Sequence, residues 1–461
     1  MIPERGLRSL TEFLGAENIL TRPEDLQPFA SDATKLSYMP DAVAFPRSAE
    51  DVAWILSLAN LEEFPVTPRG AGSGKSGGAI PVQGGLILSM DRFDRILRID
   101  PNNFIAKAET GVITSRLQEE VEKLGLFYPP DPASIKVSTI GGNLAENAGG
   151  LRAVKYGVTR DYVLGLTAVL PTGEIIQTGV ETVKGVVGYD LTRLLVGSEG
   201  TLAVITEAIL RLIPKPEVTR TMMALFHSVS AAVQAVSQIV QSKIIPTALE
   251  LMDRLCIDCV RDELSPSISF PCEALLLIEV DGDKSLTKKE VKKTQEVCLE
   301  AGAFQFLAPS SKKEAEKLWE ARRNVSPSVY KLKPDKVSED IVVPRSRMAE
   351  LVWFLGELSR KYHLPIPAYG HAGDGNIHVN IMYDKRVPEE VEKLDKVIRE
   401  LFKRVIEMQG TPSGEHGIGL TKAPYLEMEL SREVVQLMIR LKKAFDPKGI
   451  LNPGKIFPHR T

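Results

Sequence analysis

The chain has 461 residues, of which 43% are hydrophobic and 25% charged, and its formal net charge is -3. This length allows two or three domains, and the lack of a basic excess argues against a nucleic-acid-binding protein. No apolar run reaches the roughly 18 residues of a membrane-spanning helix, and the first residues lack the apolar core of a secretory signal. We therefore expect a cytoplasmic protein, at most peripheral to the inner face of the membrane.

The first half of the chain alternates short β-rich runs with helices. Ser48, followed by Glu50 and Asp51, predicts the N-cap of a helix over residues 46–64. Further β-rich and helical runs follow the hydrophobic periodicity. Strands are predicted at residues 64–69, 85–90, 104–109 and 200–213, a helix at 114–124, and a strand, turn and strand over 162–179. Pro214 and Pro216 end this part, so we place a domain boundary there.

The second half has the composition of an α+β domain with an antiparallel sheet. Strands are predicted at residues 222–226 and 274–280, a strand, loop and strand over 367–383, and helices at 229–241, 285–301, 345–362, 389–409 and 432–444. The predicted domains are residues 1–215, residues 216–400, and a C-terminal helical segment at 401–461.

A glycine-rich loop at residues 69–78 follows a predicted strand. Its backbone N–H groups can approach an anion closely, because no side chain intervenes. A P-loop is disfavoured because Arg69 stands where its first glycine is required. The run from Gly72 to Gly77 fits G-x-G-x-x-G, but Pro81 and further glycines follow where a Rossmann site opens a helix. Two interpretations of this segment remain: an anion-binding loop of another type, or a glycine-rich turn that binds nothing.

Glycine and asparagine are also concentrated in four later segments. Residues 130–134, 139–143, 147–150 and 155–157 lie within thirty positions, and residues 197–202 add a further backbone-rich turn. Such segments are poor core material but suit an extended loop around a long polar ligand. They predict a ligand bound lengthwise, with one turn at its phosphates and others at a ring system.

Histidine usage is uneven, since two of the six histidines bracket the run His371-Ala-Gly-Asp-Gly-Asn-Ile-His378 and a third follows Glu415. Two imidazoles and one carboxylate are the ligand set of catalytic zinc and of non-haem iron. His416, beside the carboxylate, could then take a proton from a metal-bound group. The remaining histidines, His227, His363 and His459, lack such a context and are expected to be structural.

The glycine-rich segments together resemble the FAD-binding domain of the vanillyl-alcohol oxidase superfamily. The segments at residues 369–378, 413–419 and 446–455 are similar to its FAD-linked oxidase domain, as found in D-lactate dehydrogenases, the glycolate oxidase flavin subunit and D-2-hydroxyglutarate dehydrogenases. The resemblance covers nearly the whole chain. It implies an α+β fold: a two-part FAD-binding domain, a substrate (cap) domain with an antiparallel sheet, and a C-terminal helical segment that returns to the flavin.

The resemblance also implies which residues contact FAD. They are Arg69, Gly70, Ala71, Gly72, Ser73, Gly74, Pro130, Asp131, Ser134, Thr139, Gly141, Gly142, Asn147, Gly149, Gly157, Glu199, Gly200, Ile205 and Asn452. Some members of the superfamily attach flavin covalently through a histidine in the first glycine loop. Ser73 stands near that place and the loop has no histidine, so we expect non-covalent FAD.

The reaction implied by the resemblance is oxidation of a D-2-hydroxy acid to the 2-oxo acid, with hydride transfer to FAD. D-lactate is the preferred substrate, with glycolate and D-2-hydroxyglutarate as alternatives. His371, His378 and Glu415 match the ligands of one divalent metal ion, either zinc, iron or manganese. His416 matches the catalytic base, Arg322 the bidentate cation for the substrate carboxylate, and Lys336 and Asn380 groups near the substrate.

Electrons must then leave the flavin. The four cysteines do not form an iron–sulfur ligand set, so we expect an electron-transferring flavoprotein, an iron–sulfur subunit or a quinone as acceptor, and a homodimer is compatible with the sequence. One alternative is a flavin-bearing electron-transfer subunit of a larger complex that oxidises no substrate itself. Another is a non-redox flavoenzyme acting on a lipid-like substrate.

Overall fold

A computed structural model describes residues 1–264 and 268–457 of the chain; His459 lies outside these residues. The strands, numbered in chain order, are β1 Ile19–Leu20, β2 Ala42–Ala44, β3 Val66–Arg69, β4 Leu86–Ser89, β5 Ile96–Asp100, β6 Ile105–Glu109, β7 Leu126–Phe127, β8 Val163–Val169, β9 Ile175–Gly179, β10 Val204–Arg211, β11 Ile213–Pro214, β12 Val218–Phe226, β13 Ala248–Asp253, β14 Ala274–Gly282, β15 Ala303–Leu307, β16 Asp335–Val342, β17 Ala368–His371 and β18 Asn376–Tyr383.

The α-helices are α1 Glu4–Leu14, α2 Pro23–Leu26, α3 Ala49–Glu62, α4 Thr114–Glu122, α5 Ile140–Glu146, α6 Ala153–Tyr156, α7 Leu191–Leu195, α8 Val229–Gln241, α9 Arg254–Cys259, α10 Lys284–Glu300, α11 Lys312–Arg323, α12 Val325–Ser328, α13 Met348–Tyr362, α14 Pro388–Glu407, α15 Leu426–Glu429 and α16 Arg432–Phe445. Within the described residues, none of these helices combines the length and apolar character needed to cross a bilayer.

The chain divides into two compact units. Unit 1 comprises Met1–Gly149, Val158–Lys215 and Glu415–Thr461, and unit 2 comprises Gly150–Gly157 and Pro216–Gly414. Apart from Gly150–Gly157, the chain passes from unit 1 to unit 2 between residues 215 and 216, beside the proline pair. The return to unit 1 begins at Glu415 and not at residue 401, because α14 runs unbroken through Glu407 and the chain after it bridges to β16.

Unit 1 is built on two larger sheets, with an additional two-stranded sheet of β7 and β11. The first has the order β1-β2-β4-β3, with parallel pairing of β2, β4 and β3, and the second has the antiparallel order β5-β6-β10-β8-β9. The apolar side of α3 packs with these strands in one core, which also contains Ile450 and Leu451 from the C-terminal segment. Ser48 caps α3 by accepting from the backbone N–H of Asp51, as its position predicts. The core thus joins the two ends of the chain.

Unit 2 is organised around one antiparallel sheet with the order β15-β12-β14-β13-β17-β18-β16. A cluster of buried apolar side chains from β12, β13 and β14 packs against α9 and α11, which gives this face of the sheet a dry core. The helices α8 and α10 contact the same strands. The sequence patterns predict β12, β14, β17 and β18 but miss the central strand β13 and the two edge strands β15 and β16.

Candidate active site

A pocket in unit 1 is lined mainly by backbone. Its walls come from the glycine loop after β3, from the start of α5, from the turn before β10, and from Glu415 and His416. Of the residues predicted to contact FAD, those that line it are Arg69, Gly70, Ala71, Gly72, Ser73, Gly74, Ser134, Thr139, Gly141, Gly142, Gly149, Glu199, Gly200 and Ile205. A surface of exposed peptide groups with few side chains fits a dinucleotide cofactor such as FAD.

Two glycines show why side chains are excluded from this wall. A Cβ added at Gly141 would lie 2.7 Å from the Cβ of Thr110 and 3.0 Å from its carbonyl oxygen. A Cβ at Gly149 would lie 3.1 Å from Oε2 of Glu415. The glycines therefore let the backbone approach Thr110 and Glu415 closely, and Glu415 sits against Gly149 within the same unit.

Five predicted FAD residues do not line the pocket. The Oδ1 of Asn147 accepts from the backbone N–H of Arg160, and the amide of Asn452 donates to the carbonyl oxygens of Gly78 and Glu199. Both side chains hold loops together. Gly157 belongs to unit 2, and Pro130 and Asp131 precede the lining residues Pro132, Ala133 and Ser134. Arg69 lines the pocket, but its guanidinium donates to the backbone carbonyls of Ser31 and Ala79.

A buried carboxyl pair lies beside the pocket. Glu199 accepts hydrogen bonds from the backbone N–H groups of Ile418 and Gly419, at 2.8 and 2.6 Å, and Glu146 accepts from the hydroxyl of Ser76 at 3.2 Å. A Cβ at Gly417 would collide with Glu146 and lie 3.0 Å from Glu199, so the two carboxyls meet at this glycine. The pair therefore holds the segment that follows His416.

The two carboxyls are expected to share one proton. Burial, reinforced by the charge of Glu199, raises the pKa of Glu146 well above its ordinary value. Burial also raises the pKa of Glu199, while the two backbone N–H donors oppose the rise. Glu146 has no hydrogen-bond donor to its Oε2 within the described part of the chain. We therefore assign the proton to Glu146 and the charge to Glu199.

In unit 2, strand register gathers the predicted catalytic side chains on one face of the sheet. Residues opposite each other in antiparallel strands, and alternate residues along a strand, point to the same face. Glu250 is opposite His371, Tyr369 is opposite His378, and Ser338 is opposite Asn380. The same face also carries Lys336, Asp340 and Asn376. This polar group spans four adjacent strands, β13, β17, β18 and β16.

Glu250 joins two of the predicted residues. Its Oε1 lies 2.6 Å from Nδ1 of His371, and its Oε2 accepts from Nε and Nη2 of Arg322 at 2.9 and 2.5 Å. Arg322 extends from α11 and stacks 4.6 Å above the ring of Tyr369. Burial alone would raise the pKa of Glu250, but His371 and Arg322 outweigh it and hold the pKa at about 2. Two charge-assisted hydrogen bonds from the buried Arg322 guanidinium favour the ionised form of Glu250, so a neutral His371 donates from Nδ1 and keeps Nε2 as the nitrogen able to bind a metal.

The second imidazole has a different carboxylate beside it. The Nδ1 of His378 is 3.5 Å from Oδ1 of Asp340, and the two imidazole rings of His371 and His378 meet edge to face with centroids 5.2 Å apart. Asp340 also accepts from the amide of Asn376 at 2.6 Å and from the backbone N–H of Gly414 at 3.0 Å. Glu415 and His416 follow Gly414 directly along the chain, so the hydrogen bond between Gly414 and Asp340 lies within two residues of both.

Lys336 and Asn380 are each held by a neighbouring polar group. The ammonium group of Lys336 donates to the carbonyl oxygen and the hydroxyl of Ser326, at 2.8 and 2.9 Å, and lies 5.0 Å from the ring of Tyr330. Asn380 is fully buried, and its Oδ1 accepts from the hydroxyl of Ser338 at 3.1 Å. Unit 2 thus brings His371, His378, Arg322, Lys336 and Asn380 onto one connected surface.

Sequence reasoning missed the carboxylates that support this surface. Glu250 lies in the short apolar run of β13, and Asp340 lies in β16; neither strand is predicted. The one available signal is a charged residue within an apolar run, since Glu250 stands between Leu249 and Leu251. Such a residue must be paired if the strand is buried.

Two family models together match most of the chain. A model of the FAD binding domain matches residues 40–179, and a model of the C-terminal domain of FAD linked oxidases matches residues 215–456. The glycolate oxidase subunit GlcD of Bacillus subtilis (strain 168) is 44% identical over 99% of this chain and 97% of its own. The D-lactate dehydrogenase of Archaeoglobus fulgidus is 38% identical over 90% of each chain.

Solved structures show the same fold at low sequence identity. p-Cresol methylhydroxylase superposes with a TM-score of 0.80 at 18% identity, covering 98% of this chain and 96% of its own. The 4-ethylphenol oxidase from Gulosibacter chungangensis has a TM-score of 0.77 at 20% identity, covering 99% and 98%. The fold is therefore that of a vanillyl-alcohol-oxidase-type flavoprotein. The chain belongs to the FAD-linked oxidase family, and it is an FAD-linked oxidoreductase.

Proposed function

We propose that this protein oxidises a D-2-hydroxy acid to the 2-oxo acid. D-lactate is the preferred substrate, and glycolate and D-2-hydroxyglutarate are the alternatives. The observation that carries the proposal is the polar face of the unit 2 sheet, on which two imidazoles, a guanidinium and a buried amide lie together. The names of similar proteins support the same substrate class, the 2-hydroxy acids, since they include glycolate oxidase subunit and D-lactate dehydrogenase.

Each group has a chemical task in such a reaction. FAD, when bound, accepts a hydride from the substrate carbon. Arg322 holds the substrate carboxylate, because a guanidinium matches a carboxylate in charge and in planar geometry. Asn380 and Lys336 add polar contacts to the substrate. His416 accepts the hydroxyl proton, and its place in the lining of the unit 1 pocket supports this role.

We also propose that His371, His378 and Glu415 hold one divalent metal ion. Zinc, iron and manganese all accept a set of two imidazoles and one carboxylate. The fit is supported by the Glu250 carboxylate on Nδ1 of His371, which directs Nε2 toward a ligand role, as is usual for metal-binding histidines. The ion would polarise the substrate hydroxyl.

The cofactor is proposed to be non-covalent, because the pocket loop carries Ser73 and no histidine. After precipitation with trichloroacetic acid, the yellow colour should remain in the supernatant. A yellow pellet would contradict non-covalent binding. We further propose that the reduced flavin passes its electrons to an electron-transferring flavoprotein, an iron–sulfur subunit or a quinone, and that the protein works in the cytoplasm or at the inner face of the membrane.

The central test is anaerobic reduction of the bound flavin. We expect D-lactate to bleach the flavin absorbance near the visible maximum, with glycolate and D-2-hydroxyglutarate as the other candidates and L-lactate as the stereochemical control. A protein that stays yellow with every 2-hydroxy acid, although dithionite bleaches it, would support the alternative of an electron-transfer subunit without a substrate of its own.

A further inference from the structure

Glu250 is placed where a single side chain can control two functional groups. It is fully buried in the middle of β13, directly opposite His371 on β17. Each of its two oxygens has a different partner: Oε1 contacts His371, and Oε2 accepts two N–H groups from Arg322. The residues it joins are 121 and 72 positions away along the chain. No other carboxylate contacts both of them within the described residues.

We propose that Glu250 is a positioning residue that sets the tautomer of His371 and the orientation of Arg322 together, and so fixes the distance between the metal ligand and the cation that holds the substrate carboxylate. This inference rests on the proposed function of the site. Glu250 itself need not touch the substrate, because it acts through His371 and Arg322.

The bond geometry explains why both groups are fixed at once. An ionised carboxylate only accepts, so Nδ1 of His371 must donate and Nε2 must keep its lone pair for the metal. Arg322 uses Nε and Nη2 toward the same oxygen, which leaves the edge bearing Nη1 to face the substrate carboxylate. The stacking of its guanidinium on Tyr369 fixes the plane of that edge.

Glutamine at this position cannot reproduce the arrangement. It has the same shape as glutamate but only one acceptor oxygen, and its NH₂ group only donates. If the oxygen faces Arg322, the NH₂ group forces Nδ1 of His371 to accept, which moves the proton to Nε2 and blocks metal binding. If the oxygen faces His371, the NH₂ group opposes the donors of Arg322. Either orientation impairs one of the two functions.

Glu279 offers a matched control on the same sheet. It lies on β14 opposite Ala248, and Ala248 is two residues before Glu250, so both carboxyls point to one face. Both also receive a donor from α11: Trp319 donates to Glu279 at 3.1 Å, and Arg322 donates to Glu250. Within the described residues, Glu279 contacts none of the proposed metal or substrate groups. A role limited to docking α11 on the sheet would therefore give folded Glu250→Gln and Glu279→Gln the same Zn²⁺ affinity.

The experiment compares Glu250→Gln, Glu279→Gln and Arg322→Gln in the FAD-loaded protein. Zn²⁺ affinity is measured by calorimetric titration of the metal-stripped protein, and KM and kcat are measured with D-lactate and an artificial dye. Glu250→Gln is expected to weaken Zn²⁺ binding by about 10- to 100-fold, as for other groups that orient metal ligands, and to raise KM. Arg322→Gln should raise KM but leave Zn²⁺ affinity within about threefold, and Glu279→Gln should change neither.

Glu250→Gln leaves a buried guanidinium without its counter-charge, which can impair folding. The double variant Glu250→Leu/Arg322→Gln removes both charges and leaves Nδ1 of His371 without its acceptor, so its Zn²⁺ affinity should fall as in Glu250→Gln. Normal Zn²⁺ affinity in the folded double variant, or equal phenotypes of Glu250→Gln and Glu279→Gln, overturns the proposal.

Failure of the proposed function gives a different pattern. If the wild-type protein binds no divalent metal but still oxidises D-lactate, the metal assignment fails. The role of Glu250 in orienting Arg322 is then tested by KM alone. It holds if Glu250→Gln raises KM more than Glu279→Gln does, and it fails if the two variants have the same KM. If no 2-hydroxy acid reduces the wild-type flavin, the proposed function fails, and the Zn²⁺ affinities alone decide the role of Glu250.

Discussion

The two units form their sites from different parts of the chain: backbone groups in unit 1 and side chains in unit 2. The unit 1 pocket is lined by glycine backbone and short turns, whereas unit 2 presents long side chains from the faces of neighbouring strands. In the first, function depends on the absence of side chains, since a Cβ added at Gly141 or Gly149 would crowd Thr110 or Glu415. In the second, it depends on individual groups and on the carboxylates that orient them. Mutations in the two regions should therefore separate cofactor loading from metal binding and turnover.

The largest effect is expected for His378→Ala, which removes a proposed metal ligand in unit 2. Metal polarisation of the hydroxyl contributes several kcal/mol, so turnover should fall by about 10³-fold or more, while the visible flavin spectrum remains. Metal content by mass spectrometry and the steady-state rate test this. His227→Ala, which changes an exposed histidine of the same unit, should keep both. Full activity in a metal-free preparation would refute the metal assignment.

In unit 1 the corresponding test is Gly141→Ala. The new Cβ would lie 2.7 Å from the Cβ of Thr110, and such overpacking typically costs about 1–3 kcal/mol, so the ratio of bound FAD to protein should fall sharply. Gly356→Ala is the control, because nothing lies within 4 Å of the added Cβ in α13. There the change should increase the free energy of unfolding by about 0.5–1 kcal/mol. Normal FAD content in Gly141→Ala would contradict this prediction, because it would show that Thr110 can move to make room for the added Cβ.

An intermediate effect is expected from the carboxyl pair of unit 1. Glu199→Gln leaves one of the N–H groups of Ile418 and Gly419 without a good acceptor, which costs about 1–3 kcal/mol, and the thermal midpoint and FAD affinity should both fall. Glu146→Gln should be nearly neutral at pH 7, because a glutamine resembles the protonated acid assigned there. Thermal unfolding followed by flavin fluorescence compares them, and a larger loss in Glu146→Gln would reverse the proton assignment.

The smallest effect concerns Glu279 and is visible in the pH dependence of stability. Burial raises the pKa of Glu279 to about 7, partly opposed by the charge of Arg152. A carboxyl with a raised folded pKa stabilises the fold below its unfolded pKa, near 4.3, and loses that contribution as the pH rises through 7. Denaturation of the wild type should therefore show a loss on the order of 3 kcal/mol between pH 4.5 and 8. Glu279→Gln should flatten this dependence, and an unchanged slope would contradict it.

The local elements of both units could be read from the sequence where a local signal exists. Ser48 caps α3, and the proline pair lies where the chain passes from unit 1 to unit 2. The strand, loop and strand carrying His371 and His378 is also where the residue pattern predicts it. Each of these features depends on neighbours within a few positions, through capping, turn formation or alternation.

The sequence by itself determined which segments carry the chemistry, because glycine loops and paired histidines are local patterns that few other functions require. Only the tertiary structure decided which side chains hold those groups in place. Glu250 reaches His371 through the pairing of β13 with β17, and Arg322 reaches Glu250 from α11, across long separations in the chain. Strand pairing between distant segments leaves no local pattern, because the alternation of one strand says which residues share its face but not which strand lies beside it.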